Sequence, residues 1–227
     1  MTDKPIRSYG RTGGRPLSPR QRTLVEEMLP QLRIPADADA LAEPLALFEP
    51  GRQALWLEIG FGGGEHVTAQ AARHPAVGYL ASEVFVEGLA KCLSDIEERG
   101  LTNVRLWDED ARALIDLLPD ACLDRVFILF PDPWPKKKHH KRRIIQSDFL
   151  DALARVMKPG AHLRFATDVR SYADEALERF LAHGAFDWLA EKADDWRLAP
   201  ADHVRTRYQT KNLGDIAPVY YEFRKAG

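Results

Sequence analysis

The amino-acid sequence predicts an α/β fold built on a doubly wound parallel sheet, and two observations support this class. Short apolar segments alternate with longer helical segments from residue 53 to the C-terminus. The apolar segment at 123–130 is typical of a strand that is buried on both faces of a sheet. Because strict alternation places helices on both faces, ligands are expected outside the carboxyl ends of the strands.

The individual elements are predicted from the positions of apolar segments, glycines and prolines. Strands are expected at 53–60, 76–83, 103–110, 123–130, 161–168 and 218–225, with a further candidate at 185–191. Helices are expected between them, at 64–74, 84–100, 111–118, 144–158 and 169–184. Gly100 closes the second of these helices, and Pro159 is expected to end the fourth.

Length and charge distribution predict one domain preceded by a basic arm. The chain has 227 residues, 45% of them hydrophobic, which suits a single globular domain at 23–227. Residues 1–22 carry six Arg or Lys and one Asp, so this segment is expected to be a flexible basic arm or a solvated tail. The formal net charge is only −2, so local basic segments on an acidic body predict a directed contact with a polyanion.

The sequence argues against several other classes of protein. Cys92 and Cys122 have neither a metal-binding nor a redox spacing, and His139 and His140 have no further metal ligand at a suitable distance in the chain. No apolar run approaches the roughly 20 residues of a membrane helix, and residues 1–22 lack the apolar segment of a secretory signal. We therefore expect a cytoplasmic protein without a membrane segment or a metal. Monomer and homodimer are both left open.

A glycine-rich turn, EIGFGGGE, follows the first predicted strand. A dinucleotide-binding turn requires GxGxxG, but the third glycine is replaced by Glu65 or Val67 in the two possible registers. The turn also lacks the Lys-Ser/Thr pair of a phosphate-binding loop, and Glu65 would repel a pyrophosphate. Gly60, Gly62 and Gly64 still let the backbone approach a ligand closely, so the turn predicts a ligand without phosphates.

Three of the predicted strands end in an acid. Glu83 is placed to accept hydrogen bonds from both hydroxyls of a ribose, Asp110 from an adenine amino group, and Glu58 to face a ligand cation. A nucleoside that carries an amino-acid cation and no phosphate is S-adenosylmethionine, so the acids and the glycine turn predict a site for it. The alternative is that these acids cap helices at ordinary strand–helix turns.

The segment FPDPWPKKKHHKRR follows the fourth predicted strand. Asp132 lies between Pro131 and Pro133, which restrict the backbone and hold the acid rigidly at the strand end. Trp134 is suited to stacking on a base. The cations that follow are expected to contact phosphates, and they are Lys136, Lys137, Lys138, Lys141, Arg142 and Arg143. A merely solvated charged surface is the alternative, and the adjacent acid and aromatic ring disfavour it.

On these residues the sequence resembles the bacterial tRNA (guanine-N7-)-methyltransferases. The matching segments span most of the chain beyond residue 50 and are LEIGFGGGEH, ASEVF, EDA, FPDPWPKKKHHKRR, FATD and TRYQ. The resemblance implies a Rossmann-like class I methyltransferase fold, with a seven-stranded sheet whose last strand is antiparallel. It also implies S-adenosylmethionine as methyl donor and the guanine at position 46 of the tRNA variable loop as acceptor.

The resemblance assigns roles to individual residues. The implied cofactor-binding residues are Glu58, Glu83, Asp110 and Asp132, and Asp132 also matches the proposed catalytic acid of the family. The implied substrate contacts are Lys136, Asp168, Thr206, Arg207, Tyr208 and Gln209. The family usually has Glu where this sequence has Gln209, and an amide can accept a hydrogen bond from guanine but lacks the charge.

The implied reaction needs alignment and electrostatic stabilisation. Guanine N7 has a lone pair and no proton, so Asp132 is expected to stabilise the positive charge that moves to the purine and not to act as a base. The target base must also leave its stack, which costs a few kcal/mol unless it is already exposed.

Three alternative functions are considered. A methyltransferase acting on an exocyclic amine would carry an Asn/Asp-Pro-Pro-aromatic loop, whereas the order here is Pro-Asp-Pro-Trp. A non-catalytic RNA-binding subunit would not need the glycine turn together with four acids. A nicotinamide dehydrogenase is disfavoured by the glycine spacing, although Tyr221 and Lys225 have a suggestive spacing on the last predicted strand.

Overall fold

The structure is a computed structural model that describes residues 16–211 and 213–227. Its sheet consists of β1 (Ala54–Ile59), β2 (Val77–Ser82), β3 (Val104–Trp107), β4 (Leu123–Leu129), β5 (Met157–Thr167), β6 (Phe186–Trp188) and β7 (Val219–Lys225). The seven strands lie in the order β3-β2-β1-β4-β5-β7-β6. Strands β1 to β5 are parallel, and β7 is antiparallel to both β5 and β6. The predicted fold class, with its antiparallel last strand, is confirmed.

Helices cover both faces of the sheet. The α-helices are α1 (Pro19–Thr23), α2 (Leu29–Leu32), α3 (Glu65–Arg73), α4 (Val86–Arg99), α5 (Ala111–Leu117), α6 (Ser147–Val156), α7 (Arg170–His183), α8 (Asp194–Arg197) and α9 (Arg207–Thr210). A π-helical segment, Leu24–Met28, joins α1 to α2, and 3-10 helices lie at Pro44–Leu47 and Lys137–Arg142. Apolar residues of α5, α6 and α7 pack on one face, and those of α2, α3 and α4 pack on the other.

The central strands are buried on both sides, as the sequence predicts. In β4, Val126 and Ile128 belong to one apolar cluster, whereas Phe127 and Leu129 belong to the other. This alternation follows from the period of two residues in a strand. Burying each large apolar side chain contributes about 1.5–3 kcal/mol. A shift of one residue would exchange the two faces, so the core fixes the register and the position of each strand end.

One predicted helix has the wrong bounds. The sequence predicts a helix at 144–158, but α6 begins at Ser147 and β5 already begins at Met157. Met157 has an extended backbone with ψ of 135° and lies opposite Leu123 of β4. An apolar residue at the end of a helix cannot be distinguished by periodicity from the start of a buried strand. The candidate strand at 185–191 is present as β6.

The predicted basic arm is described only in part. Residues 1–15 lie outside the described residues. Ser18 caps α1, and Arg20 forms an ion pair with Glu97 of α4. Leu24 and Leu29 are buried, so the segment that follows Ser18 packs against the domain. The predicted boundary at residue 22 therefore falls inside this helical segment.

Within residues 16–211 and 213–227, no helix has the length and apolar character needed to cross a membrane. The same ranges contain no group of three or more His, Cys, Asp or Glu side chains that could hold a metal ion. Cys92 is buried, Cys122 is partly buried, and neither forms a disulfide. Burial raises the pKa of the Cys122 thiol to about 11, so this group is a poor nucleophile at neutral pH.

Candidate active site

The glycine turn connects β1 to α3 in a conformation that requires glycine. Gly60, Gly62 and Gly64 have φ angles of 72°, 60° and 84°, in the left-handed region that other residues rarely adopt. The N–H of Gly62 donates a hydrogen bond of 2.7 Å to Glu83 Oε2. A Cβ atom on Gly88 would lie 2.1 Å from Gly62 O, so α4 packs directly against the turn. The three predicted glycines thus form one turn whose shape is fixed from two sides.

Glu83 follows β2 and organises the backbone around it. Its Oε1 accepts from the N–H of Phe85 at 2.9 Å, and its Oε2 accepts from the N–H of Gly62. Burial raises the pKa of Glu83, and the neighbouring charge of Asp132 adds to the effect. Each carboxylate oxygen can accept a further hydrogen bond, so this position is compatible with the predicted ribose contact.

Glu58 is buried beneath the turn, within a network that sequence reasoning missed. Its side chain is 2% exposed, and Oε2 accepts from Tyr79 OH at 2.8 Å and from His66 Nδ1 at 2.6 Å. On the other side of the ring, Gln70 Nε2 lies 3.2 Å from His66 Nε2. Among the described residues both hydrogen bonds of Glu58 fall on Oε2, so Oε1 is left for another partner. The available signal was His66, which ends the matched segment LEIGFGGGEH.

Asp110 caps α5 and holds Arg112. Its Oδ1 accepts from the backbone N–H of Arg112 at 3.0 Å, and its Oδ2 accepts from Arg112 Nη2 at 2.7 Å. Although partial burial acts in the opposite direction, these hydrogen bonds hold the pKa of Asp110 below its ordinary value. The helix-cap alternative therefore describes this acid correctly, and its contact with adenine stays a prediction.

Asp132 is presented by a strained loop after β4. Phe130 and Trp134 have φ angles of 53° and 44°, although neither is glycine. Such a conformation costs about 1–3 kcal/mol per residue and persists only where the surroundings enforce it. The Asp132 side chain has no hydrogen bond or ion pair within the described residues, and desolvation raises its pKa. The loop thus holds an unpartnered carboxylate at the end of the strand.

The acids of this edge face a common space. The charge of Asp132 contributes to the raised pKa of Glu83, which follows β2, and to that of Tyr208, which lies on α9. Asp168, which directly follows β5, accepts a hydrogen bond of 3.2 Å at Oδ1 from Tyr208 OH. The carboxyl ends of β2, β4 and β5 therefore bring Glu83, Asp132 and Asp168 together, as the parallel topology predicts.

Four of the six cations in the predicted patch are exposed, so their contact with phosphates stays a prediction, and one of the six is buried. Lys136, Lys137, Lys138 and Lys141 are exposed. The Arg142 guanidinium lies 4.9 Å from the centroid of the Trp134 ring. Arg143, however, is buried, with a side-chain exposure of 0%, so the prediction that it contacts phosphates is wrong. A buried guanidinium with protein acceptors cannot also reach a phosphate at the surface.

The TRYQ segment covers Asp168. Tyr208 packs against Phe130, with ring centroids 5.6 Å apart. Burial and the Asp168 carboxylate raise the pKa of Tyr208 to about 12, so its hydroxyl stays a donor at neutral pH. Arg207 is exposed and pairs with Glu65 at 3.0 Å, which joins α9 to the beginning of α3. The segment is thus bonded to the beginning of α3 through Arg207 and to Asp168 through Tyr208.

Gln209 points into the protein. Its Oε1 accepts from the N–H of Thr206 at 3.1 Å and lies 2.9 Å from His203 Nε2. Its Nε2 donates to Tyr220 OH at 3.0 Å. Because a backbone N–H can only donate, the contact with Thr206 identifies Oε1 and so fixes the orientation of the amide. The amide of Gln209 therefore forms its hydrogen bonds within the chain, whereas the sequence predicts that this side chain contacts the substrate.

The fold defines the class of protein to which this chain is similar. Solved methyltransferases share the fold: one described as an antibiotic-related methyltransferase has a TM-score of 0.54 and 18% identity, covering 86% of this chain and 96% of its own. A variant of the 16S rRNA (adenine(1408)-N(1))-methyltransferase from Catenulisporales acidiphilia, with SAM as cosubstrate, has a TM-score of 0.52 and 17% identity, covering 84% of this chain and 92% of its own. The fold is that of the Rossmann-like class I methyltransferases.

Sequence comparison gives the family. Residues 52–219 match a family described as "Putative methyltransferase". The tRNA (guanine-N(7)-)-methyltransferase of Hyphomonas neptunium is 60% identical, over 96% of this chain and 99% of its own. The enzymes of the same name from Caulobacter vibrioides and Rhodospirillum rubrum are 52% and 48% identical, over 97% and 99% of this chain and 96% and 91% of their own. The chain belongs to the family of tRNA (guanine-N7-)-methyltransferases, and the resemblance found in its motifs is confirmed.

Proposed function

We propose that this protein transfers the methyl group of S-adenosylmethionine to N7 of guanine in tRNA, at position 46 of the variable loop. The observation that carries the proposal is the unpartnered carboxylate of Asp132, which faces the same space as Glu83 and Asp168 beside an exposed cationic segment. The family membership supports tRNA as the substrate class. The choice of position 46 rests on the resemblance of the motifs.

The residues at the strand ends fit S-adenosylmethionine. Its sulfonium makes the methyl group electrophilic, and its ammonium group is a cation that a carboxylate can bind. Glu58 offers Oε1 beneath the glycine turn, and Glu83 offers both oxygens toward a ribose. The left-handed glycines Gly60, Gly62 and Gly64 allow the backbone to approach the ligand. Asp110, between β3 and α5, is the remaining residue of the proposed cofactor site.

Methyl transfer to guanine N7 needs no proton to be removed. The N7 lone pair forms the new bond to carbon as the carbon–sulfur bond breaks, and the electron pair of that bond stays on sulfur. Positive charge therefore moves from sulfur to the purine. Asp132 stabilises this charge by its fixed position, because it needs no reorganisation when the charge moves.

The second group of residues is proposed to hold the RNA. Asp168 accepts from the guanine N1–H and amino group in exchange for its bond to Tyr208 OH. Lys136 contacts a phosphate beside the Asp132 loop. The remaining residues of the proposed RNA site are those of the TRYQ segment: Thr206, Arg207, Tyr208 and Gln209. Of these, Gln209 acts on the shape of the segment, because its amide is already bonded within the chain.

The test is to incubate the protein with labelled S-adenosylmethionine and unmodified tRNA, and then to locate the methyl group. We expect 7-methylguanosine at position 46. A matched tRNA transcript with adenine at that position is expected to accept no methyl group. A methyl group on an exocyclic amine would contradict the proposed chemistry, and methylation of N7 elsewhere would contradict only the position. Calorimetry with the cofactor alone separates the enzyme from a non-catalytic RNA-binding subunit, which would not bind it.

A further inference from the structure

We propose that Arg143 is a positioning residue for the loop that carries Asp132, an inference that rests on the proposed function of that acid. Arg143 is the last of the cations that begin at Lys136. Its side chain is 0% exposed, whereas Lys141, two positions earlier, is exposed. Removing a guanidinium from water has a large desolvation cost, so its nitrogens must find hydrogen-bond acceptors within the protein.

The guanidinium of Arg143 joins the Asp132 loop to α7. Its Nε donates to Pro133 O at 2.8 Å. Its Nη1 donates to Ser171 O at 2.9 Å and to Glu175 Oε2 at 2.5 Å, and its Nη2 donates to Ser171 Oγ at 2.9 Å. All three nitrogens are therefore used, and the carbonyl that Nε holds belongs to the residue directly after Asp132.

The loop needs such a contact because it can donate few hydrogen bonds of its own. Pro131, Pro133 and Pro135 have no N–H, so the loop must be held largely through its carbonyl groups. The residues Phe130 and Trp134, on either side of Asp132, have left-handed backbones that their surroundings must maintain. The bond from Arg143 to the Pro133 carbonyl lies between these two positions.

The other end of the contact is a rigid part of the fold. The Arg143 guanidinium lies 4.7 Å from the ring centroid of Tyr172, which is fully buried in the core. Glu175 also binds Arg179 at 2.9 Å and lies 3.3 Å from His140, within the cationic segment. Helix α7 therefore holds the Asp132 loop and the proposed RNA-binding segment in one arrangement. Only arginine can do this, because lysine has one nitrogen and cannot reach all four acceptors.

The test compares Arg143→Lys with Lys141→Gln in single-turnover methylation at saturating tRNA and cofactor. Arg143→Lys keeps the charge, so tRNA and cofactor affinity should stay close to wild type. The rate should fall about 10- to 100-fold, because a displacement near 1 Å at a reacting group has an effect of that size. Lys141→Gln is the comparison for an exposed cation of the same segment, and it should weaken tRNA binding. Ser171→Ala removes only one of the four bonds and should give a smaller loss of rate, so it decides the question if Arg143→Lys does not fold.

Hydrogen exchange of the loop amides gives a second measurement that does not depend on activity. The amides of Asp132 and Trp134 should exchange faster in Arg143→Lys than in wild type, while those of β4 should not change. Unchanged loop exchange, or an unchanged single-turnover rate, would overturn the proposal. Weaker tRNA binding with a normal rate would also overturn it and make Arg143 an RNA contact. If the wild-type protein does not methylate guanine N7, the proposed function fails, and the exchange measurement still decides whether Arg143 holds the loop.

Discussion

At the scale of single residues, the acids of the site differ in the partners they already have. Glu58 accepts from Tyr79 and His66, and Asp110 is held by Arg112. Asp132 has no such partner within the described part of the chain, and desolvation raises its pKa. An unpartnered carboxylate has its full charge available to a ligand. We therefore propose the electrostatic role for Asp132 and supporting roles for the other two acids.

Asp132→Asn tests this assignment, because it keeps the shape of the side chain and removes the charge. We expect the single-turnover rate to fall by about 100-fold or more, the size expected for the loss of a preorganised electrostatic partner. Folding and tRNA binding should be unaffected. The wild-type rate should be nearly level from about pH 6 to 8, above the range of a typical carboxyl pKa. At lower pH the rate should fall as Asp132 is protonated. Because desolvation raises the pKa of Asp132, this fall should begin at a higher pH than for an ordinary aspartate. A near-normal rate in the mutant would leave Asp132 without a catalytic role.

Glu83→Ala tests the cofactor site. The mutation removes both the proposed ribose contact and the acceptor of the Gly62 N–H. We expect the affinity for S-adenosylmethionine to fall by about 1–3 kcal/mol, since hydroxyl and amide groups lose a charged partner. Calorimetry measures this directly, and NAD serves as the control ligand that should not bind to either protein. Equal cofactor affinity in mutant and wild type would remove Glu83 from the site.

At the scale of elements, α9 and the residues before it form a cover over Asp168, and this cover is anchored at both ends. Asp202 accepts from Arg164 of β5 at 2.7 Å through Oδ1 and from Gln70 of α3 at 2.8 Å through its carbonyl. Gly214 lies so close to Asp168 that a Cβ atom there would be 2.3 Å from Asp168 O. The position of α9 over Asp168 is therefore set by the sheet and by α3 together.

Gln209→Glu introduces the residue that the resemblance of the motifs implies at this position, and it should make the stability of this cover depend on pH. Burial lowers the pKa of His203 in the wild type. A carboxylate at position 209 would raise the folded-state pKa of His203 above its unfolded value, because Gln209 Oε1 lies 2.9 Å from His203 Nε2. The added stability is then fully present below the unfolded pKa of about 6.5 and is lost as the pH rises through the raised value.

Urea unfolding of Gln209→Glu and wild type at about pH 6 and pH 8.5 measures this effect. Relative to wild type, the variant should be more stable at the lower pH. Adding His203→Gln to both proteins should remove the pH dependence of the difference. A difference in unfolding free energy that is the same at both pH values would show that His203 and residue 209 do not interact.

At the scale of the whole molecule, the carboxyl edge of the sheet separates two kinds of contact. Glu58 lies at the end of β1, and Glu83 and Asp110 follow β2 and β3. Asp132 and Asp168 follow β4 and β5, and the exposed lysines begin four residues after Asp132. A small cationic ligand and a polyanion can thus bind side by side. The acidic body of the molecule leaves this lysine cluster as a directed site for the polyanion.

The salt dependence of tRNA binding tests this separation. Lys137→Gln and Lys138→Gln should each reduce the slope of log affinity against log salt by roughly one unit for each phosphate contact that is lost. Cofactor affinity should hardly change. Lys158→Gln is the matched control, because Lys158 pairs with Asp124 near the opposite edge of the sheet. A salt-insensitive complex would mean that the lysines at 136–141 are only solvated surface.

The sequence by itself determined the fold class, and it predicted that the site lies at the carboxyl edge of the sheet. Alternating apolar segments, glycines and prolines are local signals, and parallel topology then places every strand end at one edge. The motifs also identified the family. The inferences of fold class and family succeeded because each depends on residues that are close together in the chain.

Only the tertiary structure decided what the individual side chains do. Arg143 and Lys141 are both cations of the same run, but Arg143 is buried and Lys141 is exposed. The acceptors that hold Arg143 belong to Ser171 and Glu175, which lie 28 and 32 residues further along the chain. Gln209 turns inward because His203 and Tyr220 offer it partners. Whether a polar side chain meets solvent or protein depends on contacts between distant segments, and the local pattern of a sequence contains no measure of those contacts.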